Sequence, residues 1–250
     1  MPTRITATRE EWLAARLDLL AAEKALTRQS DAVAERRRAL PWVRIDKTYT
    51  FDTLPGRRTL ADLFDGRHQL LVQHFMLAPG WEQGCKSCSY MADHTDGATV
   101  HLAQRDVTFV AVSRAPLSEI ERFRQRMGWK FPWVSSFGND FNRDFHVSFT
   151  AGEMADGTAD YNFGGVPAGE EMPGVSAFWK DDAGEVFHTY STYGRGVEVM
   201  MHTYRLLDLT PKGRDEDGLR FTMGWVRHHD RYGLAPPASA VGRPDPGQMD

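Results

Sequence analysis

Gly84-Cys85-Lys86-Ser87-Cys88-Ser89 holds both cysteines of the chain, spaced Cys-x-x-Cys. Side chains three residues apart on a helix share a face, so these two sulfurs can meet. Their chemistry is two-electron redox or the ligation of a soft metal. The residues before them, Gln69-Leu70-Leu71-Val72-Gln73-His74-Phe75-Met76-Leu77, read as a buried strand, and Ser87 to about His94 can be helical. Cys85 then lies where a strand hands over to a helix. Unpaired N–H groups and the helix dipole favour a thiolate there. A Cys-x-x-Cys in strand–helix context is the sequence pattern of a thioredoxin-like redox site.

The metal alternative needs a third ligand for copper or zinc. His94, His101, His146, His188, His202, His228 and His229 are the candidates. His94 follows Cys88 by six residues, which at about 100° per residue is roughly 120° round the helix. A site of Cys85, Cys88 and His94 on that helix alone is therefore poor. The redox reading is preferred, with no cofactor. Two inert, buried cysteines are the bland alternative.

Charge and composition narrow the class. Across 250 residues the net charge is -4, which gives no electrostatic footprint for nucleic acid. No apolar run is long enough to span a bilayer. Met1-Pro2-Thr3-Arg4-Ile5-Thr6 lacks the apolar core of a signal peptide. The expectation is a cytoplasmic protein, where two cysteines do not form a structural disulfide framework.

The elements that must position the cysteines follow in order. Residues 8 to about 39 predict a long helix, with Thr8 and Glu11 at capping-box spacing. Trp12, Leu19, Leu26 and Val33 recur every seven residues, with Ala15 and Ala22 between them. This seam is read as an arm packed on its own domain, with a homodimer contact as the alternative. Residues 43–51 alternate like one strand, Pro55-Gly56 is a turn, and residues 59–64 form a short helical turn. After the cysteines, Val107 to Val112 is a continuous apolar strand of the kind found in a covered parallel sheet. Leu117 to Met127 is an amphipathic helix stopped by Gly128, Phe131 to Val134 a short strand, and Asn139 to Phe145 a short helix. Residues 151–172 read as a loop or insertion. Residues 173–180 and 185–190 form a hairpin about Asp181-Asp182-Ala183-Gly184, and Gly196 to Leu209 a helix. Phe221 to Tyr232, with His228-His229-Asp230, is read as solvated, with folding back over the site as the alternative. The Pro- and Gly-rich residues from Ala235 are expected to be disordered.

Alternating β and α elements argue for an α/β layer fold. The chain resembles the thioredoxin superfamily, closer to its peroxiredoxin-like branch than to small thioredoxins. More closely it resembles the bacterial thioredoxin-like family known as domain of unknown function 899 (DUF899). The residues that carry this match are Glu11-Trp12-Leu13-Ala14-Ala15-Arg16, Leu40-Pro41-Trp42-Val43, His74-Phe75-Met76, the Cys-x-x-Cys stretch, Val110 to Pro116, Arg126-Met127-Gly128-Trp129, Phe131 to Ser136, and Gly224-Trp225-Val226-Arg227.

The resemblance implies a three-layer thioredoxin-like fold with a mixed central sheet and an N-terminal helical arm. The expected division is an arm at 1–41, the thioredoxin-like domain at 42–210, and an extension with a disordered tail at 211–250. It also implies a thiol-disulfide oxidoreductase or thiol-dependent peroxide reductase. Cys85 would attack a disulfide, sulfenic acid or peroxide, and Cys88 would resolve the product; the partner would be a protein disulfide or a small thiol or peroxide substrate. Pro173 would match the proline that is cis in thioredoxin folds, leaving the Met172 backbone free for a substrate chain. Thioredoxins bury an acid beneath the disulfide; here that neighbourhood holds Gln73 and His74, and His74 would help hold a thiolate. The peroxiredoxin threonine is missing, since Trp81-Glu82-Gln83-Gly84 precede Cys85. Trp81 is a candidate shield for the thiol, and Arg114, after the strand, a candidate for substrate charge. A scaffold protein that dimerises through the Trp12–Val33 seam is the third class.

Overall fold

The chain builds one mixed sheet whose strands are drawn from both ends of the sequence. The structure is a computed structural model and describes residues 5–233. In order, the elements are α1 (Arg9–Arg38), β1 (Val43–Arg44), β2 (Thr50–Thr53), β3 (Gly56–Thr59), β4 (Gln69–His74), α2 (Lys86–Thr95), α3 (Thr99–Ala103), β5 (Val107–Ser113), α4 (Leu117–Met127), β6 (Trp133–Ser135), α5 (Phe141–Asp144), α6 (Ala151–Asp156), β7 (Gly174–Lys180), β8 (Val186–Tyr193) and α7 (His202–Leu207). The sheet runs β1-β8-β7-β4-β5-β6-β2-β3.

Its centre is β8-β7-β4-β5, with β4 parallel to β5 and antiparallel to β7, and β7 antiparallel to β8. A βαβ unit followed by a hairpin on the other side of its first strand is the thioredoxin-like arrangement that the sequence implied. The strand β6 extends it parallel to β5, and β2–β3 close that edge.

Strand alternation sorts the core into two layers. Leu70, Val72, Val110, Val112, Val134 and Phe178 face Phe51, Phe64, Phe141 and Phe145. Ala111, Phe109 and Trp133 face the other way, toward both cysteines on the α2 side and toward Ile120, Phe123 and Met127 of α4. Gly128 closes α4 in the left-handed region at φ 71°, which a residue without Cβ adopts at little cost.

Four expectations are corrected here. Residues 43–51 are not one strand: β1 pairs with β8 at one edge and β2 with β6 near the other. The chain between them crosses the sheet face, packing Ile45 and Tyr49 against the core. Their inward-facing spacing mimics a strand. Residues 196–209 are not one helix: a 3-10 turn over Gly194–Met200 ends at Met201 (φ -100°, ψ 71°) before α7 begins. The break lets both Met201 and Tyr204 bury against Tyr90 and Met91 of α2. The insertion at 151–172 opens with α6, capped by a reciprocal Thr150–Glu153 box. The arm does form as α1, with the Thr8–Glu11 box in place, but no residue of it is buried and Trp12, Leu19, Leu26 and Val33 are all exposed, so its seam is not packed on its own domain. The expected tail from Ala235 lies outside the described residues.

Candidate functional site

Cys85 is the N-cap of α2, and Cys88 sits one turn inside it. The backbone around Cys85 is fixed on both sides. Its N–H donates to the Met76 carbonyl at 3.0 Å, and its carbonyl accepts the Ser89 N–H and hydroxyl at 2.9 and 2.8 Å. The structure holds both cysteines as thiols. Cys85 is 7% exposed and Cys88 fully buried, packed with Phe75, Met76, Leu77 and the half-buried Trp81. Trp81 thus packs against the cluster that contains the thiols. Cys85, as the N-cap, lies at the positive end of the α2 dipole.

Gly84 makes the approach to the site possible. A Cβ there would lie 2.5 Å from a Phe75 ring carbon and 2.8 Å from one of Phe123. Gly84→Ala is expected to cost about 1–3 kcal/mol, the usual penalty of overpacking. It should also displace the loop that aims Cys85. Urea denaturation gives the first effect and the alkylation rate of Cys85 the second. Wild-type stability with a wild-type rate would refute the close fit.

The residue beneath α2 is Gln73, whose Nε2 donates to the Cys88 carbonyl at 3.0 Å. His74 points to the opposite layer, because neighbours on a strand face opposite ways. It stacks on Phe145 and packs against Phe141, at 5.7 and 5.6 Å between ring centroids, and its Nε2 meets the Ser176 hydroxyl at 2.8 Å. Burial, with His188 nearby, pushes it down to about 3, so it is neutral. The expectation that His74 helps hold a thiolate is therefore corrected.

Pro173 is also corrected: among the described residues no peptide bond is cis. The Met172 N–H is not free, since it donates to the Val147 carbonyl at 2.9 Å. The Pro173 carbonyl accepts the Tyr161 hydroxyl at 2.7 Å, and that hydroxyl accepts the Gly194 N–H at 2.7 Å. Val147 and, from the insertion, Tyr161 thus take the backbone groups that would otherwise receive a substrate chain. Tyr161 lies within electrostatic reach of Cys88, and burial holds the phenol well above its ordinary range. Sequence reasoning missed Tyr161, which sits in a Gly- and Asp-rich stretch without periodicity.

Arg114 pairs with the buried Glu171, which also accepts the Ser148 hydroxyl at 2.8 Å. Burial raises the Glu171 carboxyl although Arg114 opposes it. Arg114 thus ties the insertion to the end of β5; its charge is already matched. His94 is turned away from the cysteines. Its Nδ1–H donates to the Tyr90 carbonyl, and its Nε2 accepts from the Thr203 hydroxyl and N–H at 2.6 and 3.1 Å. Both nitrogens are thereby engaged. Among the described residues no group of three His, Cys, Asp or Glu side chains is disposed to hold a metal.

The C-terminal segment folds back over the site, the alternative reading of Phe221 to Tyr232. His228 is 4% exposed, and its Nε2–H donates to the Gly84 carbonyl at 2.9 Å. Burial, with Arg126 and Lys86 close by, holds His228 below the usual histidine range. It is thus neutral, with Nδ1 left to accept from Arg126 at 3.5 Å. His229 meets Asp93 of α2 at 2.7 Å, and Asp230 receives Arg126 of α4 bidentately at 2.8 and 2.9 Å. Arg126 also donates to Gln83 at 3.0 Å. Upstream, Glu216 accepts from the Tyr204 hydroxyl, the Met223 N–H and the Trp225 indole at 2.8, 2.8 and 2.6 Å. Beside this strap lies a cavity of about 80 Å³, walled by Ser87, Met91, Val197, Met201, Arg214 and Met223 among others. Neither cysteine lines it.

A family model described as "Bacterial protein of unknown function (DUF899)" matches residues 1–232. No curated protein matches the chain. Among solved structures the chain is similar to peroxidoxin BcpB from Mycobacterium tuberculosis, with a TM-score of 0.43 and 14% identity over 67% of this chain and 96% of that one. It is similar to peroxiredoxin Q from Xanthomonas campestris, with a TM-score of 0.39 and 13% identity over 63% and 89% of the two chains. A yeast mitochondrial 1-Cys peroxiredoxin gives 0.39 and 14% over 72% and 79%. At these values the activity has to be argued from the site itself.

Proposed function

Because the chain belongs to the DUF899 family, whose description names no activity, we propose from its site that it is a thiol-disulfide oxidoreductase working through a Cys85–Cys88 couple. The observation that carries this reading is the placement of Cys85 as the N-cap of a ten-residue helix with Cys88 one turn on. The Cys85 thiolate attacks one sulfur of a substrate disulfide; a Cys85–substrate disulfide forms and the other half leaves as a thiolate. Cys88 then gives up its proton and attacks the Cys85 sulfur. The Cys85–Cys88 disulfide forms, the substrate leaves as a thiol, and two electrons have passed to it. With a peroxide, the Cys85 thiolate attacks one oxygen and becomes a sulfenic acid as the O–O bond breaks, and the other oxygen leaves as water or an alcohol. Condensation with Cys88 then releases water.

The engaged Met172 N–H and the depth of both thiols favour the disulfide of a small thiol compound, or a peroxide, over a protein disulfide. An external thiol pool would recycle the disulfide, which suits the cytoplasm. No helix among the described residues is long and apolar enough to cross a membrane.

The test is a count of alkylatable thiols by mass, on full-length protein equilibrated over a series of glutathione ratios, with metal content read on the same sample. The expected result is one reversible two-electron transition from two thiols to none in metal-free protein. If the thiols persist at every ratio, or copper or zinc is bound stoichiometrically through them, the redox reading falls.

A further inference from the structure

Helix α1 is 30 residues long and has no buried residue. At about 1.5 Å per residue it spans roughly 45 Å. Its C-terminal end touches the body, where Arg37 lies over the Tyr190 ring at 4.8 Å. Helices in water draw most of their stability from an apolar face packed on something. The apolar face of α1 is present but uncovered: Trp12 is 48% exposed, Leu19 53%, Leu26 68% and Val33 38%. Two features of this helix identify what covers it.

The first is the symmetry of the seam. Trp12, Leu19, Leu26 and Val33 are evenly spaced about a point between Ala22 and Glu23. Reversing the helix about that point exchanges Trp12 with Val33 and Leu19 with Leu26. A second α1 running the opposite way therefore meets a large apolar residue at each level of the seam. The second feature is charge. Residues 9–23 carry Arg9 and Arg16 against Glu10, Glu11, Asp18 and Glu23, a net of -2. Residues 24–38 carry Lys24, Arg28, Arg36, Arg37 and Arg38 against Asp31 and Glu35, a net of +3. A parallel pair would set like halves together, whereas an antiparallel pair sets each acidic half on a basic one.

We propose that two copies of this chain associate through α1 as an antiparallel two-helix coiled coil, with its two-fold axis passing between Ala22 and Glu23. The contact is isologous and closed, as a two-fold interface must be. It holds the two Cys-x-x-Cys domains at opposite ends of the helix pair and does not use either site.

The test has two arms, both on full-length protein. Light scattering behind gel filtration at tens of micromolar should give twice the chain mass for the wild type and one chain mass for the Leu19→Glu/Leu26→Glu double variant. In the second arm, Trp12→Cys and Val33→Cys are made separately in a Cys85→Ser/Cys88→Ser background and mixed under mild oxidation. The mixture should form a disulfide between copies, and neither variant should do so alone. A monomeric wild type overturns the proposal, as does a dimer that the double glutamate variant leaves intact. Trp12→Cys cross-linking to itself overturns the antiparallel direction.

Discussion

Cys85→Ser is expected to remove turnover of disulfide or peroxide to background, while Cys88→Ser stalls the protein one step later. The asymmetry follows from position. Cys85 is the cap residue at the start of α2 and, at 7% exposed, the more accessible of the two. Cys88 is fully buried behind it, with its carbonyl fixed by Gln73. It can reach the Cys85 sulfur as the next residue round the same helical face, but a substrate must pass Cys85 first. A serine at position 85 keeps size and packing while losing a usable nucleophile at neutral pH. The fold should stay intact by circular dichroism and the initial rate should fall by about a thousand-fold or more, as when a sole nucleophile is deleted. Cys88→Ser should retain the first attack and accumulate a stable adduct on Cys85, either a mixed disulfide or a sulfenic acid, seen as a mass increase on the intact protein. Full turnover by Cys85→Ser, or adducts that collect on Cys88 in the wild type, would reverse the assignment of the two roles.

Much of this arrangement was legible in the residues because the relevant signals are local. The apolar run of β4, the Cys-x-x-Cys after it, the amphipathic Leu117–Met127 stretch stopped by Gly128 and the Thr8–Glu11 box each depend on neighbours a few residues apart. What was not legible depends on long-range placement. The alternation that predicts β4 also dictates that Gln73 and His74 part to opposite layers. Which of them lies under α2 is set by the helix, not by the strand. Residues 43–51 show inward-facing side chains at strand spacing, yet Arg44 pairs at one edge of the sheet and Asp52 near the other. Pro173 precedes a hairpin as the resemblance demands, but Tyr161 from the insertion takes its carbonyl and Val147 takes the Met172 N–H. His228 is separated from Gly84 by 144 positions, and no periodicity could have joined them.

The wild-type protein is expected to lose stability steeply as pH falls from about 6.5 toward 4, with His74 the largest single cause. His74 is 1% exposed among aromatic rings, with the Ser176 hydroxyl as its polar partner on Nε2. Its protonation is disfavoured first by burial and then by His188, which lowers it to about 3 from the ordinary 6.5. Between those two values the unfolded chain binds a proton that the native state refuses, so unfolding gains free energy with each proton added. The stabilisation is fully present above about pH 6.5 and drains away as pH drops toward 3, at a limiting slope of about 1.4 kcal/mol per pH unit. His188 and His228 are also held low by burial and act in the same direction. His68 acts oppositely, being raised by its hydrogen bonds to Asp182 and Asp106, but it is exposed and its partners are in water. Urea unfolding of wild type and His74→Leu at pH 7.5, 6, 5 and 4.5 separates these contributions. The variant should be less stable at pH 7.5, because Ser176 loses a partner, yet its stability should fall by about 2–3 kcal/mol less than wild type between pH 7.5 and 4.5. Parallel curves for the two proteins would mean that His74 takes up its proton in the folded state at an ordinary pH. The neutral, stacked histidine behind the central strand would then have to be abandoned.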